Sequence, residues 1–132
     1  MRKTLMAAVL VVALAVPSLA QAPIRTERVQ FVKGTSSKAI KASIKGNQTV
    51  DYALGVRAGQ TMTVSLTTSN ASAYFNIIAP GADAALFTGS IDGNRASVKI
   101  PSSGDYKVRV YLMRNAARRN ETANYTLTIG VR

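Results

Sequence analysis

Apolar and polar residues alternate with a period of two along most of this chain. Tyr106, Val108, Val110 and Leu112 alternate with Lys107, Arg109 and Tyr111, and Tyr125, Leu127, Ile129 and Val131 alternate with Thr126, Thr128 and Gly130. Ile40, Ala42 and Ile44 alternate with Lys41, Ser43 and Lys45, and Met62, Val64 and Leu66 alternate with Thr61, Thr63, Ser65 and Thr67. Val50, Tyr52 and Leu54 form another inward set, as do Ala96, Val98 and Ile100. Such alternation marks half-buried strands. Val29–Lys33 reads as a first strand after an irregular lead-in from Pro23 to Arg28. Tyr74–Ile78 reads as a short strand buried on both faces, and Leu86-Phe87 as a weak one. Turn chemistry separates these runs at Gly34–Ser37, Gly46-Asn47, Arg57–Gln60, Ser69–Ser72, Pro80-Gly81, Asp92-Gly93 and Pro101–Asp105. Gly59 is free to take a positive φ in its turn. Beyond the first 20 residues no window carries a helical period. About eight or nine short strands with this spacing predict an all-β fold, an antiparallel β-sandwich, in preference to a closed barrel.

The N-terminus follows different rules. Arg2 and Lys3 precede an apolar run from Leu5 to Val16, and Ser18-Leu19-Ala20 places small residues where a signal peptidase reads. That pattern predicts a signal peptide over residues 1–20, cleaved after Ala20, since the run is too short to span a bilayer. No cysteine follows, so no lipid anchor is expected. Residues 21–132 are then a single domain, long enough to bury roughly two-thirds of its unfolded surface. An exported chain without cysteine rests on that core alone. Removing Arg2 and Lys3 from the formal +11 leaves +9. A charge of that size favours anionic partners and speeds encounter with them. Export argues against nucleic acid as that partner.

The inventory is poor in catalytic chemistry. With no His and no Cys, the commonest general base, the thiol nucleophile and the usual zinc ligands are missing. Of the six acids, Asp51 lies within a strand and Asp83, Asp92 and Asp105 lie at turns, where Asp serves the backbone. Nothing pairs them as a glycosidase dyad or spaces them as a calcium loop. No enzyme, metal or cofactor is expected.

One segment breaks the strand grammar. Between the strand ending at Leu112 and the one containing Tyr125, the connection from Met113 to Ala123 exceeds what a hairpin needs. It carries Arg114, Arg118 and Arg119, the amides Asn115 and Asn120, and one acid, Glu121. In a helical turn Arg114 and Arg118 lie four apart on one face, where like charges repel. A local rule broken without a folding gain points to function. We read the segment as a basic finger whose arginine forks grip carboxylates in pairs. The competing reading has these arginines bracing the sandwich, or bridging to Glu121 and Asp105. A second stretch is Ser72-Ala73-Tyr74-Phe75-Asn76, with Tyr74 and Asn76 on one face and Phe75 and Ile77 on the other. It is either ordinary strand packing or a polar and aromatic patch lining the site together with Tyr111. Lys38, Lys41 and Lys45 read as a stripe on one strand face, most simply a solvated face that resists aggregation.

Arg57–Leu66, Gly104–Val110 and Tyr125–Ile129 resemble the bacterial pre-peptidase C-terminal domain, a β-sandwich module of secreted proteins. Val110–Glu121 together with Ser72–Asn76 is similar to the periplasmic inhibitors of goose-type (g-type) lysozyme. That resemblance implies an exported, periplasmic sandwich that blocks a muramidase, with the arginine-rich loop and the neighbouring Ser-Ala-Tyr-Phe-Asn strand as its site. The alternative is a non-catalytic module that binds peptidoglycan or another anionic glycan through its basic face, using Tyr74, Tyr111 and the lysines.

Overall fold

The computed structural model describes residues 23–132, so the signal peptide expected at residues 1–20 lies outside the described residues. The strands are β1 (Arg25–Arg28), β2 (Ser37–Lys45), β3 (Val50–Val56), β4 (Thr61–Thr68), β5 (Ala73–Ile78), β6 (Phe87–Thr88), β7 (Arg95–Lys99), β8 (Gly104–Leu112) and β9 (Thr122–Val131). Two short helical turns are α1 (Gly89–Asp92) and α2 (Arg114–Arg118). One sheet has the order β1-β3-β8-β5-β6 and the other β2-β9-β4-β7. Among the described residues, only the connection from β5 to β6 stays within a sheet; every other one crosses to the opposite layer. Ladder partners are therefore far apart in sequence, and the fold is the β-sandwich that the alternation predicts.

The inward rows fill the space between the sheets. Tyr106, Val108 and Val110 of β8 and Leu127 and Ile129 of β9 have no exposed surface, while their outward neighbours Lys107 and Thr128 face solvent. Burying each of the valine, leucine and isoleucine side chains among them is worth about 1.5–3 kcal/mol. A one-residue slip would expose the whole row, so the pattern fixes the register. At the centre, the Tyr52 and Tyr125 hydroxyls meet across the sheets at 2.6 Å. Each phenol satisfies the other, and burial pushes both pKa values up. Gly59 takes φ +87° in the turn expected for it.

Several expectations need correction. The first strand is Arg25–Arg28, not Val29–Lys33. β1 is exposed at all four positions and pairs parallel to β3, the one parallel pairing among the described strands. It is held by backbone bonds such as Arg25 N–H to Thr49 O at 3.0 Å, continued by Val29 N–H to Ala53 O at 2.8 Å, so no apolar period announces it. The alternation at 29–33 arises because Val29 is buried and Phe31 packs against the core as the chain crosses between sheets. The weak strand at Leu86-Phe87 is displaced by one residue, to Phe87–Thr88. The outward side of β5 is half-buried rather than buried. Helical turns occur at α1 and α2, each too short to show a period of 3.6. Lys38 does not share a face with Lys41 and Lys45. The β2–β9 register is regular and sets Lys38 opposite the fully buried Ile129, on the core side of an edge strand.

Candidate functional site

β8 ends in one sheet and β9 begins in the other, so residues 113–121 bridge one end of the sandwich. The helical turn α2 inside this loop is poorly supported by its own sequence. Met113 offers no side-chain cap, and Arg114 puts a cation at the end where the helix dipole disfavours it. Tertiary contacts hold it instead. Ala116 and Ala117 are buried, and Asn120 takes the left-handed conformation at φ 56°. Asn120 N–H donates to Ala117 O at 3.0 Å and Glu121 N–H to Ala116 O at 3.1 Å, closing the turn as a Schellman motif with Asn where Gly is usual.

Two neighbouring turns clamp this loop. Gly46 N–H donates to Glu121 O at 2.9 Å. Gly46 sits at φ +60°, where a side chain is strained, and a Cβ there would lie 2.5 Å from Asn120 Oδ1 and would push that amide aside. From the other side, Asn70 Nδ2 donates to Glu121 Oε1 at 2.9 Å, and Met113 N–H donates to Ser72 O at 2.9 Å. Arg119 Nε donates to Glu121 Oε2 at 2.6 Å. The hydrogen bond from Asn70, then that from Arg119, holds the Glu121 pKa below the ordinary glutamate value.

The clamp leaves a groove of about 820 Å³ between α2 and the β2–β3 turn. Arg114, Ala117 and Arg118 form one wall, Asn47, Gln48 and Thr49 the other, and the exposed Ile24 and Met113 lie at its rim. The floor is the outer face of the five-stranded sheet at Asn76, Arg109 and Tyr111. Register places Asp51, Arg109 and Asn76 side by side across β3, β8 and β5. Arg109 grips Asp51 in bidentate fashion, Nε to Oδ1 at 2.7 Å and Nη2 to Oδ2 at 3.0 Å. Asp51 is only 2% exposed, so this is the pairing that a buried carboxylate requires. The hydrogen bond to Asp51 is the main cause that raises the Arg109 pKa. The Tyr111 hydroxyl and Gly89 N–H both donate to Asn76 Oδ1, at 3.1 and 3.2 Å.

The sequence-predicted residues divide by role. Arg114 and Arg118 face the groove and have no ion-pair partner among the described residues. Arg119 is turned to Glu121, and Asp105 pairs with Arg28 rather than with the loop. Asn115 is exposed and accepts Arg119 N–H at its backbone oxygen, at 3.2 Å. Asn120 and Glu121 hold the loop's shape. Tyr111 and Asn76 are in the floor, Tyr74 is the half-buried ladder partner of Tyr111, and Ser72 contributes its carbonyl to Met113. Sequence reasoning placed Arg109 and Asp51 within strands and Asn70 and Gly46 in turns, and gave none of them a role at the site. The one available signal was an acid at an outward strand position.

No family model matches the chain. It is 31% identical to the inhibitor of g-type lysozyme of Escherichia coli (strain K12), over 98% of this chain and 98% of that one. The crystal structure of Aeromonas hydrophila PliG, a periplasmic lysozyme inhibitor of g-type lysozyme, matches with a TM-score of 0.76 and 37% identity, covering 83% of this chain and 97% of that one. The pre-peptidase C-terminal domain of a Bacillus anthracis collagenase matches with a TM-score of 0.57 at 18% identity, covering 84% of this chain and 98% of that one, a likeness of fold alone. With identity spread over nearly the whole of both chains and the sandwich held in common, the chain belongs to the family of inhibitors of g-type lysozyme.

Proposed function

We propose that the protein is exported to the periplasm, with cleavage after Ala20, and there inhibits a g-type lysozyme without catalysing a reaction itself. Arg114 and Arg118 enter the enzyme's cleft and pair with its carboxylates, which excludes the peptidoglycan substrate. A glycosidase of this kind needs at least one carboxylic acid beside the scissile bond, and most have a second carboxylate. Several charge-assisted hydrogen bonds then form together, and bidentate arginine forks suit carboxylates best.

The observation that carries this reading is the pairing of two arginines that have no ion-pair partner among the described residues with a loop clamped from both sides, in a chain whose relatives are named as inhibitors of this enzyme. A loop already fixed in shape loses little conformational freedom on binding, and that favours affinity. Arg119 supports the shape of the loop rather than the contact, because its Nε is engaged by Glu121.

The test is a lysis assay with purified residues 21–132 and two lysozymes. Goose-type enzyme should be slowed at micromolar protein, and chicken-type enzyme should stay largely active. Equal inhibition of both, or of neither, contradicts the proposal.

A further inference from the structure

The floor of the groove holds hydrogen-bond donors for which α2 does not account. The Arg109 side chain remains 33% exposed while Asp51 beneath it is buried. Its Nε and one Nη2 hydrogen are engaged by the carboxylate, which leaves Nη1 and the outer Nη2 hydrogen for a ligand. A bidentate partner fixes the plane of the guanidinium, so these remaining donors have a set direction. Beside Arg109, the Asn76 oxygen already accepts two hydrogen bonds, and that orients the amide. Its NH2 group has no partner among the described residues. On the opposite wall, Gln48 Oε1 accepts Lys45 N–H at 2.9 Å, so this amide too keeps its donors. In Arg109, Asn76 and Gln48 the acceptors are taken or absent and the donors remain. A set of free donors lining one groove beside a cation suits an anion.

The pair is weakly explained by stability alone. Buried ion pairs replaced by apolar residues of similar volume often leave a protein as stable or more so. Here one member of the pair is left facing an open groove that Arg118 also lines.

We propose that this floor is a carboxylate-binding site distinct from the helical turn, where Arg109 and Asn76 grip an acidic side chain of the partner that enters the groove. Asp51 is a positioning residue that sets the guanidinium plane. The inference rests on the reading of the protein as an inhibitor of a g-type lysozyme and deepens it. Contact runs both ways: arginines of α2 reach into the enzyme's cleft, and an acid of the enzyme reaches into the groove.

Two variants test it against goose-type lysozyme. Arg109→Lys keeps the ion pair with Asp51 but has no second donor edge. The double variant Asp51→Asn with Arg109→Gln keeps a hydrogen-bonded neutral pair and removes both charges. Each should weaken inhibition at least about tenfold, the lower range for loss of a close charged contact, with the melting temperature kept by Arg109→Lys. In the parent, the Arg109 Nε–H resonance should shift when the lysozyme is added. Should the double variant fail to fold, Arg109→Lys decides the matter. If the parent inhibits and Arg109→Lys inhibits equally, with an unmoved Nε–H resonance, the floor site is overturned while the inhibitor reading stands. If the parent does not inhibit at all, both are overturned.

Discussion

The two carboxylate oxygens of Glu121 are held by different partners, Asn70 Nδ2 at 2.9 Å and Arg119 Nε at 2.6 Å. Both favour the ionised form, so the group titrates below its ordinary value of 4.5. A carboxylate with a depressed folded pKa stabilises the fold above its unfolded pKa, and that contribution disappears as pH falls through the folded value. The clamp on the loop is therefore complete at neutral pH and loosens only in acid below 4.5. An NMR titration of the Glu121 carboxyl carbon should show a midpoint under 4.5. Asn70→Ala should move that midpoint upward, because it removes the largest cause; an unmoved midpoint would contradict the clamp. At this scale the sequence was only partly legible. Arg114 and Arg118 stood out because two cations four apart serve no folding purpose. Arg109 and Asp51 did not, since they are 58 positions apart and meet only through the β3–β8 register.

The strands were legible because their inward rows are apolar at every second position, a signal that burial itself imposes. β1 was not, because its four residues are all exposed and it is fixed by main-chain bonds. α2 was not, because its stability comes from its neighbours: the buried Ala116 and Ala117 and the glycine of the β2–β3 turn. This dependence can be tested at Gly46. Gly46→Ala combines a left-handed backbone with a collision at Asn120, and should destabilise the protein by on the order of 1–3 kcal/mol in urea unfolding. It should also weaken inhibition by moving α2. Asn120→Gly, in contrast, keeps the left-handed position accessible and should leave stability nearly unchanged. A Gly46→Ala variant as stable as the parent would show that the β2–β3 turn does not hold the loop.

Across the whole molecule, charge is arranged unevenly. Without Arg2 and Lys3 the formal +11 falls to +9, and four of the six acids are tied up in ion pairs among the described residues. Encounter with an acidic cleft should therefore be steered, and salt should slow it, since screening acts over about 8 Å at physiological strength. A stopped-flow association rate that stays flat from low to high salt would count against steering. The sandwich fold and the basic character were both readable from composition and period. The groove was not, because it is assembled from strand faces and turns drawn from four separate parts of the chain. The central claim is that the molecule is a rigid mount for arginines that enter a lysozyme cleft, and Arg118→Ala tests it most directly. Loss of one partner of a desolvated charge pair costs about 2–5 kcal/mol of binding, roughly thirtyfold or more in affinity. In an exposed turn the same change should alter stability by no more than about 0.5 kcal/mol. The measurement is the inhibition constant of parent and Arg118→Ala against goose-type lysozyme, alongside their melting temperatures. The account predicts at least that thirtyfold loss with an unchanged melting temperature; equal inhibition by the two proteins would contradict it.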